Sequence, residues 1–160
     1  MNIKNVYSQK TFKKVLYTEK LNSSVITEKV AEDYIVGGLL ADDPNSNRQI
    51  FLTLLDSCFA VKWSHQLISD EEERLAEAFG HPAIVKGNSI YIAGTGKSGF
   101  VIKYNISLGS LAFTKYFSSK EIRADFASIN ISNNTLLLTG KAVSIDSQGI
   151  KENPTFCKVD

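Results

Sequence analysis

The chain has 160 residues, 43% of them hydrophobic, and its 18 Lys and Arg against 17 Asp and Glu leave a net charge of +1. A chain of this length can bury a sizeable core in one domain. With so balanced a charge and no long basic run, the sequence argues against nucleic-acid binding and against electrostatic attraction to a membrane surface. Its apolar runs are far shorter than the roughly 20 residues that a transmembrane helix needs, so membrane insertion is not expected. The N-terminal sequence MNIKNVYSQK has no apolar segment of the secretory-signal type.

The first predicted strand covers Thr11–Leu21 and ends in Y-T-E-K-L, an aromatic residue and a Thr followed by two residues and a Leu. The predicted strands Phe59–Leu67 and Leu111–Phe117 end in the related pattern of an aromatic residue and Ser or Thr, followed by two residues and then Leu or Phe. Each of these later copies follows two other strands of a repeating unit, whereas Thr11–Leu21 stands alone at the start of the chain. We therefore interpret Thr11–Leu21 as a repeat strand displaced to the opposite end of the sequence.

A hydrophobic strand closed by glycine occurs three times, at Tyr34–Gly37, Tyr91–Gly94 and Leu137–Gly140. A polar turn is predicted after each glycine. These turns cover Ala41–Arg48, Thr95–Ser98 and roughly Ser144–Asn153. A second strand follows each turn and ends in Asp or Asn, residues that open tight turns. These strands are Phe51–Asp56, Phe100–Asn105 and Thr155–Asp160.

A further strand is predicted before each glycine strand, at Ser24–Val30, Ala78–Lys86 and Ala124–Ser132. The repeating unit is therefore four antiparallel strands in about 50 residues, a period typical of β-propeller blades. The sequence predicts an all-β fold, a single propeller or part of one over residues 1–160. Its units are expected near residues 22–67, 77–117 and 123–160, with residues 11–21 as the additional strand.

The third unit lacks its outer strand, which the N-terminal strand would supply. Phe12, Val15 and Tyr17 on that strand and Phe156 on the last one are the predicted closure residues. About three blades cannot close a ring, because a propeller needs four or more. We expect either a head-to-tail dimer, in which each chain gives its first strand to its partner's last blade and the two chains close a six-bladed ring, or a piece of a longer propeller, or pairing with a different protein that carries the remaining blades.

The string S-I-Y-I-A-G-T … G-F-V-I-K-Y-N … L-G-S-L-A-F-T-K-Y-F in Ser89–Phe117 resembles the bacterial propeller repeat called SBBP. Residues 88–117 match its pattern well, and residues 33–67 and 123–160 match it less closely. Cys58 departs from it by standing where a turn glycine is common. The resemblance implies a propeller, usually in exported or surface-associated bacterial proteins, and it implies no catalytic residues.

Two further features are predicted to be structural. Ser69–Phe79, S-D-E-E-E-R-L-A-E-A-F, has acids at a possible helix start and is expected to form a loop or one to two helical turns between units. Cys58 and Cys157 lie far apart without a Cys-x-x-Cys motif, which favours free thiols and leaves a single disulfide open.

Two turns contain residues found in ligand sites. Gly94–Gly99, G-T-G-K-S-G, contains Gly-Lys-Ser, but the first glycine of a phosphate-binding loop is missing and a strand follows, so a hairpin turn is predicted. Asp42–Asn47 offers oxygen ligands for Ca²⁺ but lacks the order of a calcium loop, so a solvated turn is favoured.

The two histidines, His65 and His81, have no zinc-site spacing. His65 is expected on the surface of an outer strand. Five aromatic residues could stack sugars if exposed, although strand spacing favours packing between blades. They are Trp63, Tyr104, Phe113, Tyr116 and Phe117.

The sequence contains no catalytic constellation and predicts no metal or cofactor. We expect a non-catalytic interaction or scaffold module. One alternative is a ligand-binding or hydrolytic site at the central channel, where Glu77, His81, Arg123 and Asp125 would converge from the inner strands of two units. Another is a carbohydrate-binding module.

Overall fold

The computed structural model describes residues 21–41, 49–67, 74–75, 81–96, 98–117, 122–146 and 149–159. Within these ranges the chain forms three antiparallel sheets and no helix, which confirms the predicted all-β class. Sheet A contains β1 (Leu21–Val30), β2 (Asp33–Ala41), β3 (Gln49–Leu55) and β4 (Val61–Leu67). Sheet B contains β5 (Arg74–Leu75), β6 (Ala83–Lys86), β7 (Ser89–Thr95), β8 (Gly99–Asn105) and β9 (Ser110–Phe117). Sheet C contains β10 (Ile122–Ser132), β11 (Thr135–Asp146) and β12 (Gly149–Val159).

The sheets follow the predicted repeat. Sheet A is the meander β1-β2-β3-β4, and β6 to β9 form the same meander in sheet B, with β5 as an additional short strand beside β7. Sheet C has the order β10-β11-β12, and no strand among the described residues pairs with the outer edge of β12. The N-terminal strand predicted for that edge, with Phe12, Val15 and Tyr17, lies outside the described residues up to residue 20.

Two segments between strands differ from their predicted form. The third turn is shorter than Ser144–Asn153, because the ladder between β11 and β12 extends to the pair Asp146 and Gly149. In the linker Ser69–Phe79, Arg74 and Leu75 are extended as β5 and pair with the end of β7, so helical turns are not formed at these two residues. Both cysteines are free, as predicted.

A two-residue turn precedes β2, β7 and β11, the second strand of each meander. These turns determine how the repeats align. The first residue of each turn has a left-handed backbone, with φ of 53° at Ala31, 56° at Gly87 and 47° at Asn133. Counting from these turns, the residue equivalent to Gly94 and Gly140 is Gly38, which replaces Gly37 in the predicted alignment. The one-residue shift matters because neighbouring residues of a strand point to opposite faces of the sheet.

Ala31, Gly87 and Asn133 are the first residues of the three turns. Of these, Ala31 has the side chain least suited to a left-handed backbone. An alanine in the left-handed region costs about 1 kcal/mol relative to glycine. We expect Ala31→Gly to raise the free energy of unfolding by roughly 0.5 kcal/mol, because glycine also gains freedom in the unfolded chain. Urea denaturation measures this change. A lower stability of Ala31→Gly would contradict the assigned turn.

The sheets stack on one another with a constant orientation. We call forward the face that carries Ile35 in sheet A, Tyr91 in sheet B and Leu137 in sheet C, and back the opposite face. Residues paired across antiparallel strands share a face, which assigns the remaining strands. The forward face of sheet A packs on the back face of sheet B through buried residues that include Ile35, Leu52, Leu54, Ile92, Phe100 and Tyr104.

The next interface repeats this arrangement. The forward face of sheet B, with Ala93 and Val101, packs on the back face of sheet C, with Phe126 and Leu138. The first strands of the three meanders also lie side by side, with β1 against β6 and β6 against β10. The stack therefore has a direction, with its last face on sheet C.

Candidate functional site

The forward face of sheet C is the clearest candidate for a binding surface. Leu52, Val101 and Phe156 occupy equivalent positions, since they pair with the equivalent residues Gly37, Ala93 and Thr139. Leu52 and Val101 are 0% exposed, because the next sheet covers each of them, whereas Phe156 is 64% exposed. The position that forms the inter-sheet core in sheets A and B is therefore open to solvent in sheet C.

The opposite end of the stack is not open. On the back face of sheet A, Val36 and Leu55 are 0% exposed and Thr53 is 5% exposed. The Thr53 Oγ1 also lies 2.8 Å from the Ser64 Oγ in a hydrogen bond between β3 and β4. Of the two end faces of the stack formed by the described sheets, the one on sheet C is therefore the open one.

Charged residues of both signs lie on this forward face. The Arg123 Nε lies 2.9 Å from the Asp125 Oδ1, and the Arg123 Nη2 donates to the Asp125 Oδ2 at 3.1 Å. The Lys141 Nζ donates to the Glu152 Oε1 at 2.8 Å. Lys158, which pairs with Leu137 on the same face, adds a third positive charge to these two ion pairs.

The pKa of Lys141 agrees with a paired side chain. The hydrogen bond to Glu152 raises the pKa of Lys141 above its usual value, with further contributions from the charges of Glu152 and Asp125. A raised lysine pKa keeps the ammonium charged at neutral pH. Because Lys141 and Glu152 are both about half exposed, we expect their pairing to add little stability to the monomer.

The predicted channel residues are only partly brought together. Arg123 and Asp125 pair with each other on the forward face of sheet C. His81 is exposed, and its carbonyl oxygen accepts a hydrogen bond from the Ile129 N at 2.8 Å, which joins sheets B and C. Glu77 lies outside the described residues. A converging site built from all four therefore stays a prediction.

Glu28 is a neighbour of His81 that the prediction missed. Burial raises the pKa of Glu28, and the charge of His81 opposes this rise. Glu28 lies on β1 and pairs with Ile35, which places it on the forward face that packs against sheet B. The alternation of Ile26, Glu28 and Val30 in the sequence was the signal that could have placed this carboxylate on the covered face.

The aromatic residues of β4 and β8 join sheets A and B, as the packing interpretation predicted. The Tyr104 hydroxyl donates to the carbonyl oxygen of Gly109 at 2.6 Å and also bonds the Nδ1 of His65. The Trp63 Nε1 donates to the Ile106 carbonyl at 3.0 Å. These contacts hold the hairpin between β8 and β9 against the outer strand of sheet A, so they have a structural role.

The remaining aromatic residues divide between packing and exposure. Phe117 packs edge-on against Phe126, with ring centroids 5.2 Å apart, and so connects sheets B and C. Phe113 and Tyr116 are partly exposed on β9, the outer strand of sheet B. A sugar-stacking role for this strand stays a prediction.

The glycine-rich segment Gly94–Gly99 forms the predicted hairpin. Thr95 pairs with Gly99 as β7 turns into β8, and the Gly96 N donates to the Ser98 carbonyl at 3.1 Å. A phosphate-binding loop requires a helix at this point, and β8 is a strand. The possible calcium turn Asp42–Asn47 lies outside the described residues.

Searches of the described residues found no group of three or more His, Cys, Asp or Glu that could hold a metal ion. They also found no helix with the length and hydrophobicity to cross a membrane. No protein-family model matches the chain, and no curated protein matches it. The open forward face of sheet C is therefore the feature of the molecule from which a function can be proposed.

Proposed function

We propose that this chain is a non-catalytic interaction module of the β-propeller type that self-associates through the forward face of sheet C. The repeated forward-to-back packing of the sheets supports a propeller arrangement, since the blades of a propeller stack around an axis in one direction. The proximity of the first strands β1, β6 and β10 also supports it, because the first strands of propeller blades gather near the axis.

The exposure of Phe156 carries the proposal. Burial of a phenylalanine side chain stabilises an assembly by roughly 2 to 3 kcal/mol. Phe156 is 64% exposed in the chain alone. At the equivalent positions of sheets A and B, which another sheet covers, Leu52 and Val101 are 0% exposed. Ile150, on the same face of β12, is 68% exposed and adds a second apolar side chain.

The outer edge of β12 is a second feature that association would complete. In sheets A and B a fourth strand pairs with the third strand. We propose that residues 11–20 supply this strand to sheet C, from the same chain or from a partner, since Leu21 belongs to β1. Val15 and Tyr17 share one face of such a strand and Phe12 lies on the other, so either the pair or Phe12 would lie beside Phe156. Pairing of the edge would also remove a site for uncontrolled strand addition.

The solution mass tests the proposal. The chain has a mass of 17.7 kDa, and light scattering after size exclusion, from micromolar to millimolar concentration, should give a larger mass. Phe156→Glu should shift the chain to the monomer, because it places a charge where an apolar contact is expected. The free energy of unfolding of the monomer should change little, since the side chain is exposed.

Leu108→Glu is the matched control. Leu108 is 73% exposed in the turn between β8 and β9, away from sheet C, so the same change should leave the assembly intact. If the native chain stays monomeric at millimolar concentration, self-association is wrong and the open face requires a different chain. If Leu108→Glu dissociates the assembly as strongly as Phe156→Glu, the forward face of sheet C is not the contact.

A further inference from the structure

We infer that the forward face of sheet C binds the same face of a second copy, with the two sheets related by a twofold axis near Phe156. This inference rests on the proposed function, since it names the partner of the surface proposed there. It specifies a dimer in which one surface meets itself, in place of the head-to-tail ring that the repeat pattern predicts.

The number of open sheet faces favours a contact between two identical surfaces. A head-to-tail assembly joins two different surfaces, here the forward face of sheet C and the back face of sheet A. The back face of sheet A is already covered, with Val36 and Leu55 completely buried. A closed assembly that uses one surface per chain is a twofold dimer, in which the same surface meets itself.

The charge of the surface also allows such a contact. A face that packs on itself must not carry charge of one sign, since like charges would meet across the axis. The forward face of sheet C carries Arg123, Lys141 and Lys158 together with Asp125 and Glu152. A surface with both signs can place opposite charges across a twofold axis, and the members of the two ion pairs already have partners within their own chain.

The area of the forward face of sheet C determines how stable such a dimer would be. β12 has 11 residues, which corresponds to a length of about 36 Å, and three strands span about 14 Å. The flat area is then roughly 500 Å² per chain, smaller than the roughly 800 Å² of a standard stable interface. We therefore expect a reversible dimer whose population depends on concentration, with Phe156 as its apolar centre.

Disulfide trapping tests the symmetry. The two native cysteines are replaced, by Cys58→Ser and Cys157→Ser, and Phe156→Cys is added to the full chain. Two cysteines are joined only when their Cβ atoms approach to about 4 Å, which requires position 156 to lie beside the axis. With copper phenanthroline as oxidant, which accepts the two electrons released by the thiols, we expect a covalent dimer on a non-reducing gel. Leu108→Cys in the same background is the control and should stay monomeric.

The outcomes separate this inference from the proposed function. A covalent dimer at position 156, formed much faster than at position 108, supports the twofold contact. If light scattering under reducing conditions shows that Phe156→Cys still associates but position 156 is not cross-linked, the module binds itself through this face without the twofold axis, and the inference is wrong while the proposed function stands. A native chain that is monomeric at millimolar concentration overturns both. Equal cross-linking at positions 156 and 108 reflects random collision and also overturns the inference.

Discussion

Gly140→Ala is expected to lower the free energy of unfolding by about 3 kcal/mol, which corresponds to a fall of roughly 10 °C in the melting temperature. A Cβ atom at Gly140 would lie 2.0 Å from the carbonyl oxygen of Asp125 and 2.9 Å from the Cα of Phe126. Both contacts are backbone atoms of β10, at a bulge between Phe126 and Ser128. The backbone cannot move aside as a side chain can, so the strand pair must open.

Gly87→Ala is the matched control for this prediction. Gly87 has a φ of +56°, but no atom lies within 4 Å of the position that a Cβ would take. The cost should therefore be about 1 kcal/mol, from backbone strain alone. Thermal and urea denaturation of the two variants measure the difference. Equal costs for Gly140→Ala and Gly87→Ala would contradict the close approach of β10 and β11.

Tyr104→Phe is expected to cost about 2 kcal/mol, because it leaves the buried carbonyl of Gly109 without its hydrogen bond. It also removes the partner of the His65 Nδ1. Tyr91→Phe is the control, since the Tyr91 ring is half-buried under Lys103 and loses only its hydroxyl group. Urea denaturation should show a change below about 0.5 kcal/mol for this control. A similar cost for both variants would mean that the bond to Gly109 does not stabilise the junction of sheets A and B.

The same pair of variants predicts a pH dependence. Burial raises the pKa of Tyr104 above its usual value of 10.0, so the folded chain favours the neutral phenol. The stability contributed by this group is fully present below pH 10 and is lost as the pH rises through the raised pKa. The difference in unfolding free energy between the native chain and Tyr104→Phe should therefore shrink above pH 10. A constant difference between pH 8 and pH 11 would contradict the burial of the ionising hydroxyl group.

The sequence was sufficient to predict the strands and their repetition. Hydrophobic alternation closed by Gly94 and Gly140 marks β7 and β11, and turn residues such as Gly87 and Asn133 mark the hairpins before them. These features are local, and local backbone preferences determine them.

The alignment of the first repeat could not be obtained from the sequence. Gly37 and Gly38 are adjacent, and a pattern of residue types does not say which of them corresponds to Gly94. The turn at Ala31 resolves the choice, and an alanine there gives no sequence signal for a left-handed backbone. Without the correct register, the faces of sheet A are exchanged and the direction of the stack is lost.

The candidate surface was predicted only in part. Phe156 was identified as a closure residue, but from its strand and not from its exposure. The ion pairs on the same face join residues distant in sequence, such as Lys141 and Glu152, whose contact depends on the register of β11 and β12. The prediction also placed Arg123 and Asp125 together at a channel. The structure pairs them on the forward face of sheet C, and their convergence with Glu77 and His81 stays a prediction.

Thiol labelling at the three equivalent positions distinguishes the covered sheet faces from the open one. Leu52→Cys, Val101→Cys and Phe156→Cys are made separately in the chain that lacks Cys58 and Cys157, and their reaction with a maleimide is followed at increasing protein concentration. The account predicts strong protection at positions 52 and 101 at every concentration, because a neighbouring sheet covers them. Position 156 should react rapidly in dilute solution and become protected as the chains associate. Rapid labelling at position 52 or 101 would contradict the stacking, and protection of position 156 in the dilute monomer would contradict the open face.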